Sequence, residues 1–248
     1  MKRFWNAFCM CYGMFTALPC PYRPWDENAR DMMLVCLPIV GALLGLLWAA
    51  LGALGMAWLT PALRAALIAA LPWLLTGFIH LDGYMDTCDA ILSWRPLEQR
   101  LRILKDVHTG AFAVVGLGLL MMFSHSAAMG LEWGDLRALL FVPVVSRCGS
   151  AICVLTLKPI GHSEYARTEG KMAQRAAVVA IWLIAVVACA VWLKRPAIAL
   201  LAETAVYAAA MAWACHTLKG VSGDVAGFAL SAAECAALIA LASIHPFV

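Results

Sequence analysis

Charge is what this sequence has least of. Only 13% of its 248 residues are Asp, Glu, Lys or Arg, while 64% are hydrophobic. Soluble domains carry about 25% charged residues, so too little charge remains here to cover a water-facing surface. That scarcity excludes a soluble globular chain, and the long apolar runs point to a bilayer. Basic clusters interleaved with aromatics are absent, and the formal net charge is only +3, which argues against a nucleic-acid partner. Paired cysteines at zinc spacing are missing too. The ten cysteines are scattered, several of them inside apolar runs (Cys36, Cys153, Cys189, Cys235), and Cys9-x-Cys11 has no second pair. They read as reduced, small, apolar-tolerant side chains. After Met1-Lys2-Arg3 the apolar stretch is interrupted by Asn6, Gly13 and Thr16, and no A-x-A cleavage site follows. Residues 1–32 therefore read as an N-terminal segment with an amphipathic interfacial helix, anchored by Trp5 and Tyr12.

What is abundant is span-length apolar sequence. A spanning helix needs about 20 mostly apolar residues. Candidates are Met33–Leu59, Ala62–Ile79, Gly110–Gly130, Leu136–Leu157, Ala176–Leu193, Ala197–Ala214 and Val225–Ile244. Thr60-Pro61 alone separates the first two, which predicts a tight helical hairpin with Pro at the first turn. The expected fold is all-α: one integral membrane domain of about seven transmembrane spans plus the N-terminal interfacial helix. With that count one side receives Lys2, Arg3, Arg23, Arg30, Arg95, Arg100, Arg102, Lys105, Lys158, Arg167, Lys171, Arg175 and Lys219. The other side receives only Arg64, Arg137, Lys194 and Arg195. This bias places the N-terminus and the polar loops 80–109, 158–175 and 215–225 in the cytoplasm.

The most informative stretch is His80-Leu-Asp82-Gly83-Tyr-Met-Asp86-Thr-Cys-Asp89. Its carboxylates fall at i, i+4 and i+7, a narrow stripe of a helix, at the membrane end of a span. Uncompensated, such a group repels itself; a hard divalent cation resolves the conflict, and Mg²⁺ fits best when substrate phosphates complete its shell. Gly83 leaves room for a ligand near the backbone. The competing reading pairs these acids with Arg95 or Arg100, although no Lys or Arg lies between Arg64 and Arg95. Leu97, Leu101 and Leu104 predict an amphipathic surface helix that returns Lys105 and Asp106 to the mouth of the third span. Asp106 is a fourth metal ligand, a base for an incoming hydroxyl, or an exposed acid beside Lys105. Arg147 lies inside a span, where an arginine costs about 2.5–3.5 kcal/mol and needs a partner. Two partners are open to it: diphosphate oxygens, or Glu234 within the bundle.

These residues resemble the cobalamin synthase family, the adenosylcobinamide-GDP ribazoletransferases. His80-Leu-Asp82-Gly83-x-x-Asp86-Thr87-Cys88-Asp89 is similar to the family signature. Lys105-Asp106-x-His108-x-Gly110, Val145-Ser146-Arg147, Tyr165-Ala166-Arg167-x-Glu169-Gly170 and Gly220-x-x-Gly223-Asp224-x-x-Gly227 follow in order, then Glu234; Leu18-Pro19-x-Pro21 precedes them. The likeness covers essentially the whole chain. It departs in the Gly-Asp element, where Ser222 precedes Gly223-Asp224 and Phe228 stands at a position expected to be small.

The resemblance implies a Mg²⁺-dependent transferase of the bacterial inner membrane. Such an enzyme joins adenosylcobinamide-GDP to α-ribazole, or to its 5′-phosphate, and releases GMP late in vitamin B12 synthesis. Asp82, Asp86 and Asp89 are then the expected metal ligands, and Asp224 a further ligand or a proton acceptor. Gly220 and Gly223 are expected to approach a phosphate, while His80, Lys105, Arg167 and Arg147 or Glu234 are candidate substrate contacts. Homo-oligomers, or a complex with other cobalamin-assembly enzymes, are compatible with this reading. Two rivals remain. A CDP-alcohol phosphotransferase has Ala-Arg after its first Asp-Gly element, which Tyr84-Met85-Asp86-Thr87 lacks. A cation or metabolite transporter places its acids near the midplane, usually in repeated halves.

Overall fold

The computed structural model describes residues 2–160 and 172–244, and within them the chain is helical almost throughout. An N-terminal helix, α1 (Lys2–Phe15), lies against α2 (Arg30–Trp58), the longest span. Between them Asp26 accepts the Asn28 N–H and opens a short 3-10 turn that leads into α2. The expected hairpin is present: α3 (Pro61–Leu75) starts on Pro61, and buried Trp48 Nε1 donates to Ile68 O at 2.8 Å, tying α2 to α3.

The second span departs from the sequence expectation. It stops at Leu75, where Gly77 N donates to Leu74 O (3.2 Å) and Phe78 N to Trp73 O (2.9 Å). Gly77 takes a left-handed φ of +62°. These two bonds form a Schellman cap, which glycine permits without strain. The chain bends by 92° and continues as α4 (Ile79–Leu92). The acidic stretch, placed by the sequence on a helical stripe at the start of the polar region 80–109, is carried on a helix that leaves the second span at this bend.

The remaining elements are α5 (Leu97–Ile103), α6 (Ala111–Met129), α7 (Val142–Thr156), α8 (Met172–Leu193), α9 (Ala197–Leu218) and α10 (Gly223–Ser243). Six described helices are long and apolar enough to cross a membrane, seven when the bent α3–α4 pair is taken as one span. α10 is central and touches α4, α6, α7 and α9, whereas α8 exposes most of its surface. Lipid gives helices no hydrophobic drive to associate, so close packing must supply it, and small residues mark the crossings. A Cβ at Gly41 or Gly45 of α2 would overlap the carbonyls of Pro143 or Leu140. At the α4–α10 crossing, a Cβ on Gly83 would sit 2.6 Å from Asp224 Cα, and one on Gly227 2.9 Å from His80 O. Ser231 Oγ donates to that same His80 carbonyl at 3.3 Å. Gly83 thus serves helix packing, whereas the sequence suggested room for a ligand. The fold brings Asp224 onto the acidic helix.

Candidate active site at the α4–α10 crossing

Asp82 and Asp86 stand one turn apart on α4, and Asp224 occupies the first turn of α10. The close crossing at Gly83 places all three in electrostatic reach of one another. Asp82 is exposed and Asp86 is half-buried. Among the described residues none of the three forms an ion pair, so Arg95 and Arg100 do not neutralise them. Arg95 reaches Gln99 instead. Among the described residues no group of three or more side chains closes into a metal cage. An open set of carboxylates is what Mg²⁺ requires when substrate phosphates and water supply the rest of its shell. The donor set fits that ion.

Asp89 has a different place from its neighbours. It is buried, and its two oxygens accept Gly110 N (2.6 Å) and Ala113 N (3.0 Å) at the start of α6. A carboxylate three turns along α4 thereby caps another helix and meets its positive end. Gly110 is required there, because a Cβ would lie 2.6 Å from Asp89 Oδ1. Asp106 sits on the exposed turn between α5 and α6. Its carboxylate accepts His108 N at 3.0 Å and contacts His108 Nδ1 at 2.7 Å. Those bonds from His108 hold the Asp106 carboxyl below the usual carboxylate range. Asp106 makes no hydrogen bond to the α4 carboxylates among the described residues, and Lys105 beside it is exposed.

The last glycine element divides into two roles. Gly220 is packed: a Cβ would meet Lys158 O at 2.9 Å, where Val221 N donates to Lys158 O and Ile160 N to Val221 O. Gly223 is open, with nothing within 4 Å of an added Cβ, and Ser222 caps α10 by accepting Val225 N at 3.2 Å. The departure at Phe228 has a packing reason. Its ring stacks on Tyr84 at 5.4 Å and meets Trp213 edge-on at 6.0 Å, filling the α4–α9–α10 junction.

Arg147 is 1% exposed and pairs with Glu234, Nη1 to Oε1 at 2.7 Å, while Ser146 Oγ donates to the same oxygen at 2.9 Å. Of the two partners open to Arg147, the structure contains the internal one. Neither residue faces the carboxylates at the crossing as a free group. Glu203 on α9 is fully buried near this pair, with no short hydrogen bond but with the Ser146 backbone and Arg147 acting on its carboxyl. An acid inside the apolar run 197–214 is itself a signal, although no motif picks Glu203 out. Phe15, stacked on His80, carried no signal at all. Arg167, with its motif 165–170, and Lys171 lie outside the described residues.

The sequence profile of the cobalamin-5-phosphate synthase family matches residues 7–242. The adenosylcobinamide-GDP ribazoletransferase of Clostridium botulinum (strain Alaska E43 / Type E3) is 35% identical over 94% of this chain and 96% of its own length. That of Clostridium perfringens (strain SM101 / Type A) is 33% identical over 98% and 100%, and that of Geobacillus kaustophilus 31% identical over 94% of both. The chain belongs to the cobalamin-5-phosphate synthase family. No solved structure matches it. The family assignment spans both helices of the crossing, since residues 7–242 include all of α4 and nearly all of α10.

Proposed function

We propose that this chain is the adenosylcobinamide-GDP ribazoletransferase of cobalamin biosynthesis, joining its corrinoid substrate to α-ribazole or the 5′-phosphate and releasing GMP. The observation that carries the reading is the trio Asp82, Asp86 and Asp224, gathered from two helices of a membrane bundle with no ion-pair partner among the described residues. Carboxylates left so at a bilayer boundary call for a cation brought with the substrate. Asp82 and Asp86 would hold Mg²⁺, with Asp224 beside them. When bound, the ion neutralises the diphosphate and the departing GMP, the main demand of phosphoryl transfer.

The chain's own residues do the rest. A ribose hydroxyl attacks the corrinoid-side phosphorus, a new P–O bond forms, and the bond to the bridging oxygen breaks. GMP leaves with that electron pair. Asp224, on the turn that Ser222 caps and Gly223 opens, accepts the hydroxyl proton. Asp89 fixes α6 against α4 and keeps the acidic face in register. Lys105 and Arg167 are the candidate contacts for diphosphate or corrinoid side chains, and Asp106 orients the loop that carries Lys105. The basic-residue bias puts this face in the cytoplasm of a bacterium, so both substrates enter from there and the chain is a multi-pass inner-membrane protein.

The test is product detection by mass from adenosylcobinamide-GDP and α-ribazole with the detergent-purified chain. Turnover should stop on chelation and return with Mg²⁺. Turnover of CDP-diacylglycerol with glycerol phosphate or serine in place of these substrates would overturn the reading, as would uptake into vesicles without chemistry.

A further inference from the structure

Beside the carboxylates the fold encloses a cavity of about 320 Å³ that shares Asp224 with them. Phe15, at the end of α1, and His80, at the start of α4, form one wall. Their rings are nearly parallel, 10° apart with centroids at 6.0 Å. Leu34, Leu37 and Val154 make much of the remaining lining apolar. His80 is 9% exposed, and its Nε2 is sealed off by the surrounding protein without a hydrogen-bond partner among the described residues, so the wall it contributes is aromatic ring and offers no donor to the cavity. Ser150 is already engaged, donating to Ser146 O and accepting from Tyr207 Oη. Arg175 at the rim is turned to Leu155 O through Nε and Nη2. At the other end lies the open first turn of α10.

We infer that this cavity is the acceptor subsite: it takes the base of the nucleoside, a ribosylated benzimidazole, against the Phe15–His80 wall and directs the ribose to Asp224. The inference rests on the ribazoletransferase reading and says which substrate sits where. Size supports it, because the volume lies at the small end of ligand pockets, ~300–1,000 Å³, enough for a nucleoside and far too little for a corrinoid. Polarity separates the base from guanine, the other planar group in the reaction. Guanine carries a full edge of donors and acceptors, and burying these among Leu34, Leu37 and Val154 would leave most of them unpaired. Against the several polar groups of guanine's edge, a benzimidazole riboside has a single free ring nitrogen to leave toward the cavity mouth. Its flat apolar face suits the aromatic wall.

The experiment measures steady-state KM for each substrate and equilibrium binding of α-ribazole to the full-length protein in detergent. The variants are His80→Ala, which removes half of the aromatic wall, and Val154→Phe, which fills the cavity. Each should weaken α-ribazole by about tenfold, the value of a lost aromatic contact or a blocked site. KM for adenosylcobinamide-GDP should move less than twofold. Should His80→Ala fail to fold, monodisperse Val154→Phe decides alone. Unchanged α-ribazole affinity in folded Val154→Phe, equal loss for both substrates, or competitive displacement of α-ribazole by GDP would overturn the assignment. A wild-type protein that makes product while Val154→Phe binds α-ribazole normally sinks only the subsite. A wild-type protein that makes no product sinks the parent reading.

Discussion

Two groups of charged residues sit inside this apolar bundle, and they are held in opposite ways. In the middle of α7 and α10, Arg147 and Glu234 are almost fully buried and meet at 2.7 Å, with Ser146 on the same carboxylate oxygen. At the α4–α10 crossing, Asp82, Asp86 and Asp224 are partly exposed and have no ion-pair partner among the described residues. The bilayer demands compensation for both. One group finds it within the described protein; the other does not, which is the ground for proposing that it receives a cation. On that proposal pairing, rather than burial, distinguishes a structural charge from a reactive one.

The comparison breaks first at the crossing. Asp82→Asn or Asp86→Asn should lower kcat/KM for GMP release by at least about 10³-fold, ~4 kcal/mol in the barrier, while the purified protein stays monodisperse. Normal turnover in either variant would remove the carboxylates from the chemistry. The reverse pattern is expected in mid-membrane. Glu234→Gln leaves Arg147 buried without a counter-charge, which costs roughly 3–5 kcal/mol in buried pairs. Its signature is loss of folded protein in detergent, read by thermal melting. The double variant Arg147→Met/Glu234→Leu should recover much of that loss, because two apolar groups need no compensation.

The fold was legible in the sequence where hydropathy alone decides it: span number, the Thr60-Pro61 hairpin and the N-terminal helix all follow from apolar runs and a proline. The break at Thr76–Phe78 was not, because a Schellman cap needs one glycine and two backbone bonds, and Gly77 stands in a run otherwise apolar enough to continue. The candidate site was legible as residue types. That Asp82 and Asp86 stay free while Asp89 caps α6 was hidden, since i, i+4 and i+7 spacing cannot show which carboxylate faces a neighbouring helix end. Gly83 and Gly220 illustrate the same limit. Gly83 suggested room for a ligand and Gly220 for a phosphate, and both turn out to be filled by backbone from another segment. Phe15 reaches His80 only through tertiary packing, so no local pattern could announce it.

Asp89 sharpens the contrast, being an acid of the reactive helix that is satisfied within the protein. Asp89→Asn keeps its size but replaces one accepting oxygen with a donor facing a backbone N–H. Hydrogen bonds to charged groups are worth about 1.5–3 kcal/mol, so a loss of ~2 kcal/mol in stability is expected, with activity falling in parallel as α6 loosens. A selective loss of turnover without any change in melting would instead make Asp89 a metal ligand.

The smallest effect is expected at Glu203, which tests whether pairing is the right criterion. This carboxyl lies fully buried in α9 near Arg147 and Glu234, with no short hydrogen bond and only the Ser146 backbone and Arg147 acting on it. Direct pairing ranks it apart from Glu234 although both are buried acids of the same neighbourhood. Gln has nearly the same shape and keeps an oxygen for the Ser146 backbone N–H, so Glu203→Gln should shift stability by less than about 0.5 kcal/mol and leave both KM values unchanged. A loss as large as that of Glu234→Gln would mean that Arg147 divides its charge between two carboxylates. The mid-membrane group would then be a triad, and burial would matter as much as direct contact.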